Sequence, residues 1–477
     1  MIPFHKINFG FSDGEVEATR SPELLDKGFF DHQGIIEELT KQPAFLVLGY
    51  KGSGKTLIGE KLFLKAQAEY NWFCQKFKLG DFPFRIFGKI LPDNQAENNN
   101  NIIAWEGVLL LALLKTIADN QSFFSCLDGS ERTCLDELKK AGLLPSDNLR
   151  KLVSEVTKTQ FKIRLPSILS AEASRASDYT WCFNHLIDKV KGMVVKQPED
   201  VRTFIVIDGL DEHLSLNSSQ SSVLSGLLRA TASLNAFFQQ QRRFVKIVLL
   251  WRKDLFDEMI DPNKNKIRRD SSILLDWYQD PSKPEECMLV KLANLRAKLA
   301  DSSVENIFSA YFHEYIKNEK TSHYLLDRTR HSPRDFIQLL KDIQTASAAR
   351  GGHIDYETIQ AGIRKYSHEY LMPEIKDELA GRFQPASIDV VWEALRRNRE
   401  AELNTARLLE DCGRSLDDKE TIAILNALFT AGAIGNKVSR RNSEVRYIFS
   451  FRNRSDSYST EHATIIHKGL RSAFSIS

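Results

Sequence analysis

The chain has no paired or clustered cysteines. Its six, Cys74, Cys126, Cys134, Cys182, Cys287 and Cys412, are scattered through 477 residues with no CxxC spacing. They therefore read as reduced, mostly buried thiols rather than disulfide or metal ligands. Charge of one sign is missing too: 65 Lys and Arg face 63 Asp and Glu, a net +2. No global field points to nucleic acid or membrane as a partner. Long hydrophobic runs are absent as well. The most apolar stretch, residues 107–114, is too short to span a bilayer and lies between Glu106 and Lys115. The opening MIPFHKINFGFSDGEVEA lacks the apolar region of a signal peptide. No internal repeat is found, and the eleven histidines are dispersed. His185, His213, His323 and His331 are each expected to be structural rather than ligands. These absences remove disulfide scaffolds, solenoids and membrane spans, and nothing suggests a nuclease, a protease or a metal centre. What remains is a soluble, cytoplasmic protein of two or three domains.

Residues 49–56 read GYKGSGKT, the complete G-x-x-x-x-G-K-[ST] pattern, and they follow the apolar run AFLVL at 44–48. A buried strand, a glycine turn and then a helix-compatible segment from Leu57 form the context a phosphate-binding loop needs. Gly49, Gly52 and Gly54 let backbone N–H groups crowd around a polyphosphate, and the helix N-terminus adds partial positive charge. Lys55 is expected to reach the β and γ phosphates, and the Thr56 hydroxyl to ligate Mg²⁺. The cofactor-binding set is Gly49, Lys51, Gly52, Ser53, Gly54, Lys55 and Thr56, with ATP and Mg²⁺ as cofactors. ATP is favoured over GTP because no guanine-reading N/T-K-x-D element follows the core strands.

An apolar strand ending in acids is what such a loop requires next, and FIVIDGLDE at 204–212 supplies it. Asp208 at the strand tip is expected to hold Mg²⁺ with Thr56. Asp211 or Glu212 is placed to orient or deprotonate an attacking water, with Glu212 preferred as the base. A third apolar run, 244–250, ends in Arg252, which lies beside the γ-phosphate if its strand neighbours the Asp208 strand. The alternative for Arg252 is an ordinary ion pair with Asp254 or Asp257. Further on, DRTRHSPRDFIQLL at 327–340 starts a helix at Pro333. Arg334 there can reach back to phosphate as a planar fork. Arg328 and Arg330 are alternatives for that role, and a surface pair of Arg334 with Asp335 or Asp327 is the plain reading. Nothing marks the second substrate pocket of a kinase.

The expected fold is α/β: a P-loop NTPase core with a parallel sheet at 1–280, a helical insertion at about 65–195 and a helical lid at 281–380. A winged-helix-like domain is expected at 381–477. Residues 93–101, rich in Asn, read as a surface loop. In the last domain, helices near 387–399, 403–411 and 419–431 precede an alternating segment at 445–451. Residues 434–477 hold eight Lys and Arg against three Asp and Glu. Lys437, Arg440 and Arg441 would lie near the tip of a wing, where basic residues contact phosphates. A solvated hairpin or a protein-docking module are the competing readings.

The order GYKGSGKT, IVIDGLDE, an apolar strand ending in Arg252, and SPRDFIQLL resembles bacterial P-loop ATPases of the STAND and AAA-like (Orc/Cdc6-like) group. FGFSDGEVEA at 9–18, the segment 270–299 with Trp277 and Arg296, and IIHKGL at 465–470 are also similar. The resemblance implies Lys55 and Thr56 as Walker A residues and Asp208 as the Walker B aspartate. Arg252 is implied as sensor 1 and Arg334 as sensor 2. It further implies an ATP-driven switch, in a setting of bacterial stress or antiviral defence. An initiator-like DNA-binding protein regulated by ATP is the alternative. The sequence singles out no arginine finger among Arg229, Arg242 and Arg243. Such an arginine is worth about 10³ or more in rate. Hydrolysis is therefore expected to depend on self-assembly or a protein partner.

Overall fold

The computed structural model describes residues 1–80, 82–91, 97–144, 148–159, 179–210, 218–279, 286–397, 399–439, 445–452 and 454–476. Asp211, Glu212, His213, Arg440 and Arg441 lie outside the described residues. The chain forms two compact units. One comprises Gln33–Lys51 and Lys55–Leu275; the other comprises Met1–His32, Gly52–Gly54 and Asp276–Ser477.

The first unit is built on a five-stranded sheet. Its strands are β1 (Leu46–Gly49), β2 (Trp72–Lys78), β3 (Arg202–Asp208), β4 (Phe244–Arg252) and β5 (Ser272–Leu275), in the order β2-β3-β4-β1-β5. Every pairing is parallel. The three central strands are the near-continuous apolar runs visible in the sequence. Leu46, Val47, Phe204, Ile205, Ile207, Ile247, Val248 and Leu249 are wholly buried, as a parallel sheet covered on both faces demands. Each such side chain contributes roughly 1.5–3 kcal/mol on burial, so these strands anchor the unit. The two outer strands are not evident in the sequence. β2 reads WFCQKFK and is half-buried along most of its length, and β5 has only four residues.

Between β2 and β3 lie the helices Phe84–Phe87, Glu97–Ile117, Gln121–Cys126, Gly129–Lys140, Leu149–Thr159 and Tyr179–Val195. The helical insertion expected from about residue 65 thus starts only after β2, because Trp72–Lys78 pairs with β3 in the sheet. The asparagine run is corrected in part: Glu97 to Asn101 form the first turns of a helix, not a loop. Asn101 is buried there and donates through Nδ2 to Ser222 Oγ at 2.9 Å. The same helix includes Asn99–Ile117, which by length and composition alone could cross a membrane, yet 67% of it is buried inside the protein. Trp105 on it donates to the Val223 carbonyl at 2.9 Å. At Gly107 an added Cβ would lie 2.4 Å from Phe183 Cζ, so glycine is what lets the Tyr179–Val195 helix approach. It is a core helix of this unit.

The second unit is mainly helical. Met288–Ala300, Ile307–Tyr311, Thr321–Leu326, Pro333–Ala349 and Tyr356–Lys365 share one apolar core with Phe4, Ile7 and Phe9 from the start of the chain. A short hairpin, β6 (Tyr315–Ile316) and β7 (Glu319–Lys320), interrupts them. A π-helical turn at Tyr366–Leu371 leads into Met372–Ala380. The last segment has helices Pro385–Arg397, Thr405–Cys412 and Asp418–Thr430. It also has β8 (Glu402–Leu403), β9 (Ile434–Ser439), β10 (Val445–Ile448) and β11 (Ala463–Ile466), ordered β10-β9-β11-β8 in an antiparallel sheet. Its three helices begin and end within two residues of the expected bounds. The chain therefore has a parallel-sheet α/β unit and a second, mainly helical unit.

Candidate functional site

Register places Gly49, Arg252 and Asp208 at the C-terminal ends of the three central strands. Parallel pairing sets Gly49, the first residue of the glycine loop, opposite Arg252 at the end of β4. On the other side of β4, β3 runs in register with it through Ile207 and Leu249 and ends one residue later at Asp208. Adjacent strands are about 4.8 Å apart, so β4 puts Arg252 between the glycine-loop strand and the Asp208 strand. That is the adjacency on which its assignment as a phosphate-facing residue depends. Asp208 Oδ1 accepts from the Gly209 N–H at 2.8 Å, and Gly209 turns the chain with φ +77°. Sequence reasoning missed the neighbour on the far side. β2 sets Lys78 directly opposite Asp208.

The loop itself has the backbone that its glycines make possible. Gly52 and Gly54 adopt φ +78° and +93°, a left-handed region that β-carbon sterics close to most residues. Lys55 opens the helix Lys55–Ala68 and is buried, donating through Nζ to the carbonyls of Gly49 and Tyr50 at 3.1 and 3.2 Å. The first turn of that helix carries no acidic residue, so no carboxylate of its own offsets its positive end. Ser53 Oγ is buried and has no hydrogen-bond partner among the described residues. An added Cβ on Gly54 would meet nothing within 4 Å. An orphaned hydroxyl, open space over Gly54 and a bare helix N-terminus together fit a polyphosphate.

Arg252 is buried and ion-paired with Asp254, Nη2 to Oδ2 at 2.5 Å and Nε to Oδ1 at 3.0 Å. Asp257 instead holds Lys253. Arg229 is tied to buried Asp261 at 2.7 Å, and Arg243 to Glu199 at 3.4 Å. Arg242 is exposed in the turn preceding β4 with φ +54°, at the end of the strand remote from Arg252.

In the second unit the three arginines of the DRTRHSPRD segment separate clearly. Arg330 donates Nε and Nη2 to Asp335 at 2.8 and 3.0 Å, and Nη1 to Glu378 at 2.9 Å. Burial alone would push the Asp335 carboxyl up. The Arg330 charge and hydrogen bonds, with the Tyr370 hydroxyl at 2.9 Å, hold it down at about 2. Arg328 lies over the Tyr324 ring at 3.3 Å, and burial lowers its pKa from the usual arginine value. Only Arg334 keeps its guanidinium near the surface, with Nε donating to the Ser12 carbonyl at 2.9 Å and Glu374 at 3.8 Å. Its backbone N–H donates to the Gly52 carbonyl at 3.3 Å. Arg328 and Arg330 thereby have their side chains engaged within the helical unit, and Arg334 is the one of the three whose backbone is bonded to Gly52.

Two further clusters surround this segment. Glu319, His323 and Asp327 bring one ligand atom each within 4.8 Å, a grouping the sequence reading did not find. Asp327 already takes Arg452 at 2.8 Å and Lys468 at 2.5 Å, so two cations occupy the place a metal would need. His323 therefore reads as a structural partner of Asp327. His331 and His467 are buried against Phe451, at centroid distances of 5.7 and 5.4 Å. Burial, followed by the Arg452 charge, lowers both to about 3. In the C-terminal segment, Lys437 donates to both Glu402 oxygens at 2.8 and 2.7 Å. None of the six cysteines is bonded to another, and Cys134, Cys182, Cys287 and Cys412 are buried.

Residues 288–372 match a family model described as the FunZ-associated C-terminal helical domain. That range covers the helices from Met288–Ala300 to the π turn. No curated protein matches the chain by sequence. Among solved structures, the crystal structure of Cdc6p from Pyrobaculum aerophilum is similar at 12% identity and a TM-score of 0.34, covering 98% of this chain and 95% of that one. A likeness that slight carries no argument about activity, which rests on the geometry above.

Proposed function

We propose that this chain is a Mg²⁺-dependent, ATP-binding and ATP-hydrolysing molecular switch. The observation that carries the reading is the shared C-terminal end of three neighbouring strands: Gly49 opposite Arg252, with Asp208 ending the next strand. Lys51 to Thr56 would hold the triphosphate, and Thr56 with Asp208 the Mg²⁺, which when bound supplies neutralising charge at the phosphates. Lys55 moves from the Gly49 and Tyr50 carbonyls to phosphate oxygens, exchanging neutral acceptors for charged ones that bind about twice as strongly. Arg252 would exchange one anionic partner, the Asp254 carboxylate, for another. Glu212, or Asp211 beside it, is the proposed base. Arg334 is the proposed second sensor, supported by its backbone bond to Gly52. A core at 1–280, a lid at 281–380 and a winged-helix-like domain at 381–477 remain the proposed division. A cytoplasmic location and the stress or antiviral setting rest on residue patterns and resemblance alone.

Self-assembly or a protein partner is the proposed trigger. DNA binding through Lys437, Arg440 and Arg441 is the alternative, and two observations weigh against it. The Lys437 ammonium is committed to Glu402. The helix Asp418–Thr430, third of its segment, begins with Asp417, Asp418 and Glu420, carboxylates that would face phosphates if this helix entered a groove. The test is steady-state ATP hydrolysis by wild type, Lys55→Ala, Asp208→Ala and Glu212→Ala, with and without DNA, while particle mass is followed. Turnover lost in all three variants and raised by assembly is expected. A Lys55→Ala chain as active as wild type would sink the proposal.

A further inference from the structure

A phosphate-binding loop works by turning its backbone N–H groups inward. Each peptide so turned aims its carbonyl outward, and a buried carbonyl needs a donor. Within the second unit both outward carbonyls of the loop tip have one. The Gly52 carbonyl accepts from the Arg334 N–H at 3.3 Å, and the Ser53 carbonyl accepts from the Trp277 indole Nε1–H at 2.9 Å, a buried bond joining residues 224 apart. Resting on the reading of residues 49–56 as a nucleotide loop, we propose that Trp277 is a positioning residue for it. Its indole fixes the Ser53–Gly54 peptide in the orientation that phosphate binding requires, without touching nucleotide.

Three observations support the assignment. The tip has little room to rearrange: a Cβ on Gly52 would lie 3.1 Å from Arg334 Cβ and 3.3 Å from Ser332 Oγ. Trp277 is itself held, with its ring 4.3 Å from His32 and 6.4 Å from Phe30. The serine whose carbonyl it takes is the one whose hydroxyl has no hydrogen-bond partner among the described residues. Trp277 thus ties the loop tip to the chain's first 32 residues, and the Pro333–Ala349 helix ties it at the adjacent peptide. A tryptophan serving only to fill the core needs no acceptor on the loop.

The experiment separates donor from bulk. Position 277 is given β-(3-benzothienyl)alanine, which has the shape of tryptophan and no N–H, alongside Trp277→Phe. Losing one buried hydrogen bond is expected to raise the Kd for ATP about tenfold, with kcat at saturating ATP retained in the isostere and its melting temperature lowered by no more than the few degrees that one unsatisfied carbonyl costs. Amide hydrogen exchange of residues 52–54, measured without nucleotide, is expected to quicken in the isostere. That second readout decides the proposal even if wild type binds no ATP, a result that would refute the nucleotide reading instead. Equal Kd and equal exchange in isostere and wild type overturn the positioning role. So does a defect confined to Trp277→Phe and accompanied by a lowered melting temperature, which is the signature of packing.

Discussion

Arg296 and Glu17 form a buried two-point ion pair between residues 279 apart: Nη2 to Oε1 at 2.6 Å and Nη1 to Oε2 at 3.0 Å. Nη1 also donates to the Phe9 carbonyl at 2.5 Å. Gly10 adopts φ +99°, and a Cβ there would lie 1.9 Å from Nη1. The FGFSDGEVEA segment and Arg296 are therefore two halves of one lock within the helical unit. Removing one partner strands the other charge, so Glu17→Ala is expected to cost about 3–5 kcal/mol in urea unfolding. Glu17→Leu with Arg296→Met should recover most of that loss, because no buried charge remains. A double variant as unstable as the single one would show that the pair acts through Gly10 rather than through charge.

Stability should fall with acid in a window set by histidine rather than by carboxylates. His331 and His467 have folded pKa values of about 3 against an ordinary 6.5. Between those limits the unfolded chain binds more protons, so stability is greatest above pH 6.5 and declines as pH falls. At pH 5 each contributes a loss of about 2 kcal/mol. Asp335, held at about 2, adds to the loss only below about pH 4. His323 is shifted upward; its contribution is complete below 6.5 and is lost as pH rises through its folded pKa, so it works against the trend only on the alkaline side. Unfolding midpoints at pH 7.5, 6 and 5 measure the slope. His331→Asn, which tolerates the φ of +52° at this position, should remove about half of it whatever it does to absolute stability.

Much of the core and the loop was legible because both are local signals. The strands β1, β3 and β4 are continuous apolar runs, and the glycine loop is eight consecutive residues. β2 and β5 were not legible, since an outer strand needs apolar residues on one face only and β2 interleaves Gln75 and Lys76 among its aromatics. The Asn-rich segment misled because the packing of Asn101 on Ser222 outweighs a low helix propensity. Within DRTRHSPRD the sequence offers three arginines of the same chemistry six residues apart at most. The choice among them is made by Glu378 and Tyr370, far along the chain, and no local pattern encodes that. The Trp277 contact with Ser53 is hidden for the same reason.

That division of labour among the arginines is testable. Arg330→Met leaves Asp335 buried without its main partner and is expected to destabilise the protein by about 3 kcal/mol or more. Arg334→Ala loses one bond to the Ser12 carbonyl near the surface. Its melting temperature should stay within a few degrees of wild type while ATP turnover drops at least tenfold. An Arg334→Ala protein that hydrolyses ATP normally would remove Arg334 from the sensor role. A stable, inactive Arg330→Met protein would move that role to Arg330.

The C-terminal segment offers a test between partners. Binding through exposed basic residues follows counterion release, so affinity falls steeply with salt, and removing one cation–phosphate pairing lowers the slope by about one unit. Lys437 is bonded to both oxygens of Glu402, so Lys437→Ala should lower any DNA affinity only through the Glu402 charge it leaves unpaired, and Lys437→Ala combined with Glu402→Gln should leave it unchanged. Glu402→Gln releases that ammonium, and under the DNA reading it should strengthen binding and steepen the salt slope. If neither substitution alters DNA binding at low salt, while Lys419→Glu on the Asp418–Thr430 helix weakens ATP-dependent assembly, the segment docks protein. Acids at the start of that helix make this the expected result, because a groove-reading helix would there present its carboxylates to phosphates at the point of closest approach.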